Sequence, residues 1–318
     1  MSPQGAAAQL AANKDIETLP AYGVWTPVLM PVDESYTIDT ARFLEHARLM
    51  LERGCHGLAI FGTTSEANSF SVNERKALVE TAFEGGISPD RVMIGTGCCA
   101  LSDSVELSRH AVSLGCKKVL VLPPFYYKNM SDAGLFRSYA ALIERVGDPE
   151  LKIFLYHFPQ LSGVPITSGL IELLLEAFPG VVAGLKDSSG DWDNTAGLLE
   201  HFPGFAVFPG SETYMLKGLR SGGAGCITAT ANANPGAIRR VYDAWHEGDG
   251  ASDSLNERIV AVRAAIAEYP LVPALKFLAS RLYDDPAWRN VRPPMLPLSD
   301  ANGADLMERL ERVGFDGL

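Results

Sequence analysis

The run Val181-Val182-Ala183-Gly184-Leu185-Lys186 is small and apolar until it ends on a lysine. An ammonium ion so placed is poorly hydrated, which favours the free amine. A neutral amine can attack a ketone and lose water, and the iminium that forms draws electrons from the neighbouring carbon. The competing reading is a lysine paired with Asp187, or one that extends its aliphatic stem out to solvent. Schiff-base chemistry also needs a proton carrier, and Tyr156 lies near the end of the preceding apolar run, Lys152 to Phe158. A phenol can shuttle protons when nearby hydroxyls stabilise its phenolate. Thr63 and Tyr126 are candidates for that relay, while Tyr156 taken alone also reads as an ordinary core tyrosine.

Three glycine-containing segments could hold an anion. Gly62-Thr63-Thr64-Ser65-Glu66 offers two threonine hydroxyls and successive backbone N–H groups. That set suits a carboxylate, which needs several donors rather than a full positive charge; a plain strand-to-helix turn would use the same residues. Gly95-Thr96-Gly97-Cys98-Cys99-Ala100 fits the loose G-x-G-x-x-A pattern of dinucleotide sites. It falls in the third strand–helix unit rather than the first, and about 20 residues on stands Lys117 instead of an acidic residue. Ser221-Gly222-Gly223-Ala224-Gly225 reads as a phosphate cradle or as a tight turn.

Short apolar runs alternate with amphipathic ones along the chain. Strands are predicted at Tyr22–Leu29, Gly57–Phe61, Val92–Gly95 and Lys118–Leu122. Four more follow at Lys152–Phe158, Val181–Lys186, Phe205–Phe208 and Gly225–Ala229. Between them helices fit Ile38–Arg53, Val72–Phe83, Ser104–Leu114, Ala133–Arg145, Ser168–Ala177, Asp193–His201 and Glu212–Arg220, with another after Pro235. Ser71 and Glu74 have capping-box spacing at the start of one of them. Eight such units imply covered parallel strands, and a closed (β/α)8 TIM barrel over residues 20–248 fits better than an open sheet. Gly248 to Ser254 reads as a break. Leu255–Glu268, Val272–Tyr283 and Ala304–Val313 then form a small C-terminal helical extension over residues 249–318. The Ala-rich residues 1–19 read as a mobile tail or an extra helical arm. In such a barrel the functional groups sit at the C-terminal ends of the strands, where Lys186, Tyr156 and the Gly62–Glu66 loop all fall.

The 318 residues are 47% hydrophobic and 20% charged, with a formal net charge of −11. That balance argues against nucleic acid and anionic membranes as general partners, though not against an anionic substrate. The six histidines and five cysteines contain neither His-x-x-x-His nor Cys-x-x-Cys, so no sequence-local metal site is expected, and reduced thiols fit a cytoplasmic protein. The N-terminus lacks the pattern of a signal peptide, and no apolar run spans a bilayer.

Taken together, Gly62–Glu66, Phe125-Tyr126-Tyr127, the stretch Tyr156–Val164 (Y-H-F-P-Q-L-S-G-V) and Gly184–Asp191 (G-L-K-D-S-S-G-D) resemble the dihydrodipicolinate synthase / N-acetylneuraminate lyase family of class I aldolases. The resemblance runs from Gly23 into the C-terminal helices. It implies that Lys186 is the Schiff-base lysine and Tyr156 the proton-transferring tyrosine. Thr63 and Thr64 match the hydroxyl pair that binds the 2-oxo acid carboxylate. Tyr126 matches an aromatic that reaches across a subunit interface in many members. With Gly62, Leu161, Gly210 and Ile227, these are the expected catalytic and substrate-binding positions. The resemblance also implies a homo-oligomer, a tetramer or a dimer, and no metal or organic cofactor.

The departures bear on the second substrate. Dihydrodipicolinate synthases carry an arginine shortly after the tyrosine, where this chain has Leu161, and leucine cannot supply bidentate donors to a carboxylate. Gly210-Ser211-Glu212-Thr213 differs from the paired acidic residues of neuraminate lyases. Lys128 and Ser65 are further differences. The leading expectation is a Schiff-base aldolase or lyase acting on pyruvate or a related 2-oxo acid, with an unidentified aldehyde as partner and a 2-oxo-3-deoxy acid as the joined compound. The alternatives are dihydrodipicolinate synthase itself, a dehydratase or decarboxylating relative, a non-catalytic oxo-acid-binding barrel, and a nucleotide-dependent oxidoreductase.

Overall fold

The computed structural model describes residues 21–317, so the expected tail at residues 1–19 lies outside them. Eight parallel strands alternate with helices. In chain order these are β1 (Gly23–Pro27), α1 (Thr40–Glu52), β2 (Gly57–Ile60), α2 (Val72–Glu84), β3 (Val92–Gly95), α3 (Leu101–Ser113), β4 (Lys118–Val121) and α4 (Asp132–Val146). They continue as β5 (Lys152–His157), a single turn α5 (Pro159–Ser162), α6 (Ser168–Ala177), β6 (Val182–Asp187), α7 (Trp192–His201), β7 (Ala206–Pro209), α8 (Met215–Arg220), β8 (Gly225–Ile227) and α9 (Pro235–His246). Helices α10 (Ser252–Ala267), α11 (Leu271–Leu282) and α12 (Asp300–Arg312) follow.

The strands pair in the order β7-β6-β5-β4-β3-β2-β1-β8. Between the two ends, the Ala224 N–H donates to the Val207 carbonyl at 2.9 Å, so the TIM barrel is nearly closed. Its interior alternates large and small side chains, with Trp25, Met93, Leu120, Phe154 and Phe208 beside Ala59, Ala183, Ala206 and Ala224. Each buried aromatic contributes on the order of 2 kcal/mol through the area it removes from water. A second core fills the space between strands and surrounding helices, and a third binds α10 to α12 into a layer.

Local signals set the helix starts. Ser71 and Glu74 form the expected capping box: the Glu74 carboxylate accepts from the Ser71 N–H at 2.8 Å, and the Ser71 hydroxyl accepts from the Glu74 N–H at 3.3 Å. Asp39 caps α1 and Ser131 caps α4 more simply, their side chains accepting from the Arg42 and Gly134 N–H groups.

The sequence-based boundaries err where side chains outside the strand decide the backbone. The first strand was expected to reach Leu29; it stops at Pro27, and the Leu29 N–H donates instead to Asn232 at 3.0 Å. The last strand was expected to reach Ala229; it stops at Ile227, after which Ala229–Asn232 forms a 3-10 turn. The stretch expected as one helix from Glu212 opens as a 3-10 turn, Glu212–Tyr214, before α8. Helix α12 starts at Asp300 rather than Ala304, because Ser299 accepts from the Asn302 N–H at 3.2 Å. Helix α10 starts at Ser252, which shortens the expected break.

Candidate active site

Strand register brings Lys186 and Tyr156 together. Strands β5 and β6 pair in parallel with Tyr156 opposite Lys186, and residues so paired point to the same face. Both side chains enter the mouth of the barrel; Lys186 is only 3% exposed. The Lys186 Nζ donates to the Tyr156 hydroxyl at 3.3 Å and lies 4.5 Å from the centre of its ring. The Tyr156 hydroxyl is in turn 3.1 Å from the Thr63 hydroxyl. Lysine, tyrosine and threonine thus form one hydrogen-bonded row.

Asp187 does not pair with Lys186. It is the next residue on the strand, so its side chain points outward between β6 and α7. There its carboxylate accepts from the Thr195 hydroxyl at 2.7 Å, from Asn194 at 2.9 Å and from the Ser189 N–H at 2.9 Å. Among the described residues, Lys186 has no carboxylate within ion-pair range. Another acidic group, Glu212, is fully buried, but both of its oxygens accept from the Thr228 and Thr230 hydroxyls. Burial pushes the neighbouring Cys226 thiol up, with a smaller push from Glu212 and an opposing effect of Lys186. Burial likewise holds the His157 imidazole below its usual range; its Nδ1 accepts from the Ile166 N–H at 3.0 Å, on the outer face.

Left-handed residues bound the Gly62–Glu66 loop, with φ of 61° at Phe61 just before it and 56° at Glu66, its last residue. For such non-glycine residues this conformation persists only when the surroundings enforce it. Here Ser65 donates to the Val28 carbonyl at 2.5 Å, and Glu66 is buried against the C-terminal layer. Its carboxylate forms an ion pair with Lys276 of α11 and accepts from the Arg292 N–H at 2.9 Å. The loop therefore turns Thr63 and Thr64 to the cavity while its last residue anchors the extension.

The cavity at the barrel mouth has a volume of about 740 Å³. Its floor holds Thr63, Thr64, Tyr156 and Lys186; Gly210 and Leu161 also line it. Gly210 has to be glycine, because a Cβ there would lie 2.2 Å from the Ser188 hydroxyl. Leu161, on α5, is 63% exposed. The remaining expected positions lie apart from that cavity. Gly62 is buried at the base of the loop, and Ile227 is fully buried in the barrel interior, in the same cluster as Tyr156. Tyr126 is 74% exposed and stacks edge-on against Tyr127, with no hydrogen bond to Tyr156 among the described residues. Lys128 serves the backbone, donating to the Ser162 carbonyl at 2.6 Å.

The glycine motifs resolve as packing. A Cβ on Gly95 would lie 2.0 Å from the Phe61 carbonyl, and one on Gly97 would lie 2.3 Å from the Leu122 nitrogen. The space a dinucleotide would need is filled by the chain itself. A Cβ on Gly225 would likewise lie 2.0 Å from the Gly23 carbonyl, where β8 begins at the opposite end of the barrel from Lys186. Sequence reasoning missed the cavity's upper wall: Arg263, residues 270–273 and residues 294–299. It also missed the Lys276–Glu66 pair, although a lone lysine in the apolar run Leu271 to Leu282 was a signal of the same kind as Lys186.

The chain matches the dihydrodipicolinate synthetase family over residues 20–313. It belongs to that family. Like its fellow members, it is a class I carbon–carbon lyase of the Schiff-base type, acting on pyruvate or a related 2-oxo acid. A DapA-like lyase of Chloroflexus aurantiacus, itself uncharacterised, is 38% identical over 270 residues, which cover 84% of this chain and 88% of that one. The crystal structure of dihydrodipicolinate synthase from Agrobacterium tumefaciens superposes with a TM-score of 0.85 at 30% identity, covering 92% of this chain and 99% of that one. YagE from Escherichia coli K12, a prophage protein of the family solved in complex with pyruvate, gives a TM-score of 0.84 at 26% identity over the same shares. Among the described residues no helix is long and apolar enough to cross a membrane.

Proposed function

We propose that Lys186 forms the Schiff base with pyruvate or a close 2-oxo acid, and that the enzyme makes or cleaves the bond between that acid's C3 and an aldehyde carbon. The observation that carries this reading is a buried amine whose described polar neighbour is the Tyr156 hydroxyl rather than a carboxylate. An ion pair would hold the lysine charged; a phenol can exchange a proton with it. Lys186 attacks the ketone, and Tyr156 passes the proton that converts the carbinolamine to the iminium. Thr63 accepts from or donates to Tyr156 and so keeps the phenol oriented through each transfer. Thr64 and the loop it lies on hold the substrate carboxylate. Gly210 leaves room beside the iminium, and Ile227 packs under Tyr156.

The dihydrodipicolinate synthase reading requires an anion-holding group where Leu161 stands, and an aliphatic side chain weighs against it. A homo-oligomer completes the proposal. Tyr126 and Tyr127 are 74% and 71% exposed, a costly display of aromatic surface that a second copy would cover. The same contact would bring Tyr126 towards a partner's relay. Sedimentation that finds only monomer at working concentration would remove that part. Such an enzyme works in the cytoplasm, where pyruvate is abundant and thiols stay reduced.

Borohydride trapping tests the central step. Reduction in the presence of pyruvate should add one three-carbon adduct, located on Lys186 by peptide mass spectrometry. Lys186→Met should abolish the adduct and lower turnover by at least about 10⁴-fold. A folded wild-type protein left unmodified at Lys186 sinks the reading.

A further inference from the structure

The space above Lys186 is larger than a three-carbon acid needs. At about 740 Å³ it falls among sites that enclose ligands of drug size. Thr63, Thr64, Tyr156 and Lys186 gather on the floor, while most of the part contributed by the C-terminal layer is apolar. Leu271, Val272, Met295 and Leu298 line it there, facing Phe158 and Leu161 from the β5 side. Leu296, also at its edge, is 79% exposed. A polyhydroxylated aldehyde would find few hydrogen-bond partners among these side chains.

Three residues of the upper wall break the apolar pattern, Arg263, Ser299 and Asn302, and Arg263 alone of them is a cation. Arg263, on α10, lines the cavity, and its Nη1 has no hydrogen-bond partner among the described residues; that atom has no surface open to the cavity, so a ligand meets it once the side chain turns. A guanidinium N–H in that state is unfavourable until an acceptor arrives. Nothing in the wall neutralises it. The one acidic residue at its edge, Asp187, turns its carboxylate away to Ser189, Asn194 and Thr195. Guanidinium geometry matches a carboxylate through two parallel hydrogen bonds.

We infer that the carbonyl partner is an aldehyde with a largely apolar body and a carboxylate at its far end, the body lying under the C-terminal layer and the carboxylate on Arg263. This rests on Lys186 forming the Schiff base. The chemistry needs no further reactant. The iminium loses a C3 proton to the Tyr156 oxygen to give the enamine; the enamine carbon bonds to the aldehyde carbon, and the aldehyde oxygen takes that proton from Tyr156. Hydrolysis of the new iminium consumes the water released when the first one formed.

The test compares matched aldehydes with pyruvate as donor: octanal against 8-oxooctanoate, benzaldehyde against 4-carboxybenzaldehyde, and glyceraldehyde as the hydroxylated control. Wild type should favour at least one carboxylated aldehyde over its neutral twin by about tenfold or more in kcat/KM, and favour both over glyceraldehyde. Arg263→Met should erase the carboxylate preference, chiefly through KM, and leave the neutral aldehyde's rate unchanged. Arg263→Lys should restore part of it. Borohydride trapping of pyruvate on Lys186 is measured in every variant. With trapping intact, equal use of the twins, a preference that survives Arg263→Met, a preference for glyceraldehyde, or no turnover of any of them each overturns the inference. Loss of trapping in wild type instead defeats the Schiff-base reading beneath it.

Discussion

Two buried lysines in this molecule have opposite fates. Lys276, in the C-terminal layer, is fully buried, paired with Glu66 and bonded to the Asn290 carbonyl at 2.7 Å. Burial pulls its pKa down, and the Glu66 carboxylate works against that pull. Lys186, at the barrel mouth, is as thoroughly buried but meets a phenol. Burial alone therefore does not tell the two lysines apart. The nature of the neighbour decides, and register decides the neighbour: Asp187 is adjacent in sequence yet faces the other side of the sheet, whereas Tyr156 is distant in sequence and lies alongside. The pair at Lys276 holds two regions together; the pair at Lys186 stays open to a third party.

That contrast can be broken experimentally. Tyr156→Phe should have the largest effect, lowering kcat by about 10²–10⁴-fold while unfolding free energy changes by about 1 kcal/mol or less, since the ring and its packing remain. A near-normal kcat would remove the phenol from the chemistry. Lys276→Met should do the reverse. Leaving Glu66 buried and unpaired costs about 3–5 kcal/mol, read from urea midpoints, whereas pyruvate trapping on Lys186 persists in the protein that stays folded. Adding Glu66→Gln should recover part of the loss; a double variant no better than the single one would show that the ion pair does not couple these positions.

The smallest of the three effects concerns pH, and it should appear on the structural side. His46 is fully buried, donates from Nε2 to Asn232 at 2.9 Å and accepts at Nδ1 from Tyr283 at 2.9 Å, and burial lowers its pKa from 6.5 to about 4. The folded state thus binds the proton less readily than the unfolded state. Stability is complete above pH 6.5 and falls as the pH drops towards about 4. The fall from this residue should be on the order of 3 kcal/mol, with His56, also lowered to about 4, acting in the same direction. Urea titrations at several pH values check this, and His46→Gln should flatten the profile. A wild-type profile already flat across the window contradicts it.

The barrel was legible because parallel strands covered on both faces must be short and apolar, and eight such runs stand out from the helices between them. Lys186 and Tyr156 were legible for a related reason: each is a polar interruption near the end of such a run, and the strand ends of a barrel converge. The end of β8 and the opening of α8 were misread because Glu212, Thr228 and Thr230 bond to one another across segments, which local patterning does not encode. Asn232 shows the same limit. It holds the end of β1 by accepting from the Leu29 N–H and donating to the Pro27 carbonyl at 2.9 Å, a link between residues some two hundred positions apart. Arg263 gave no signal at all, since one arginine on an amphipathic helix is ordinary until the cavity beside it is seen.

The Gly62–Glu66 loop carries a lesson for anyone recombining members of this family. Its two threonines and its last residue face different ways, the threonines towards the cavity and Glu66 towards the C-terminal layer. Grafting that layer from a relative to change which aldehyde is accepted would also exchange the cation at position 276 and the N–H at position 292. A donor segment lacking them would release Glu66 and, through the strained turn at Phe61 and Glu66, loosen Thr63 beside Tyr156. Chimaeras should therefore divide into two groups by a single covariation, an acid at position 66 inherited together with its base at position 276, whatever else the graft contains.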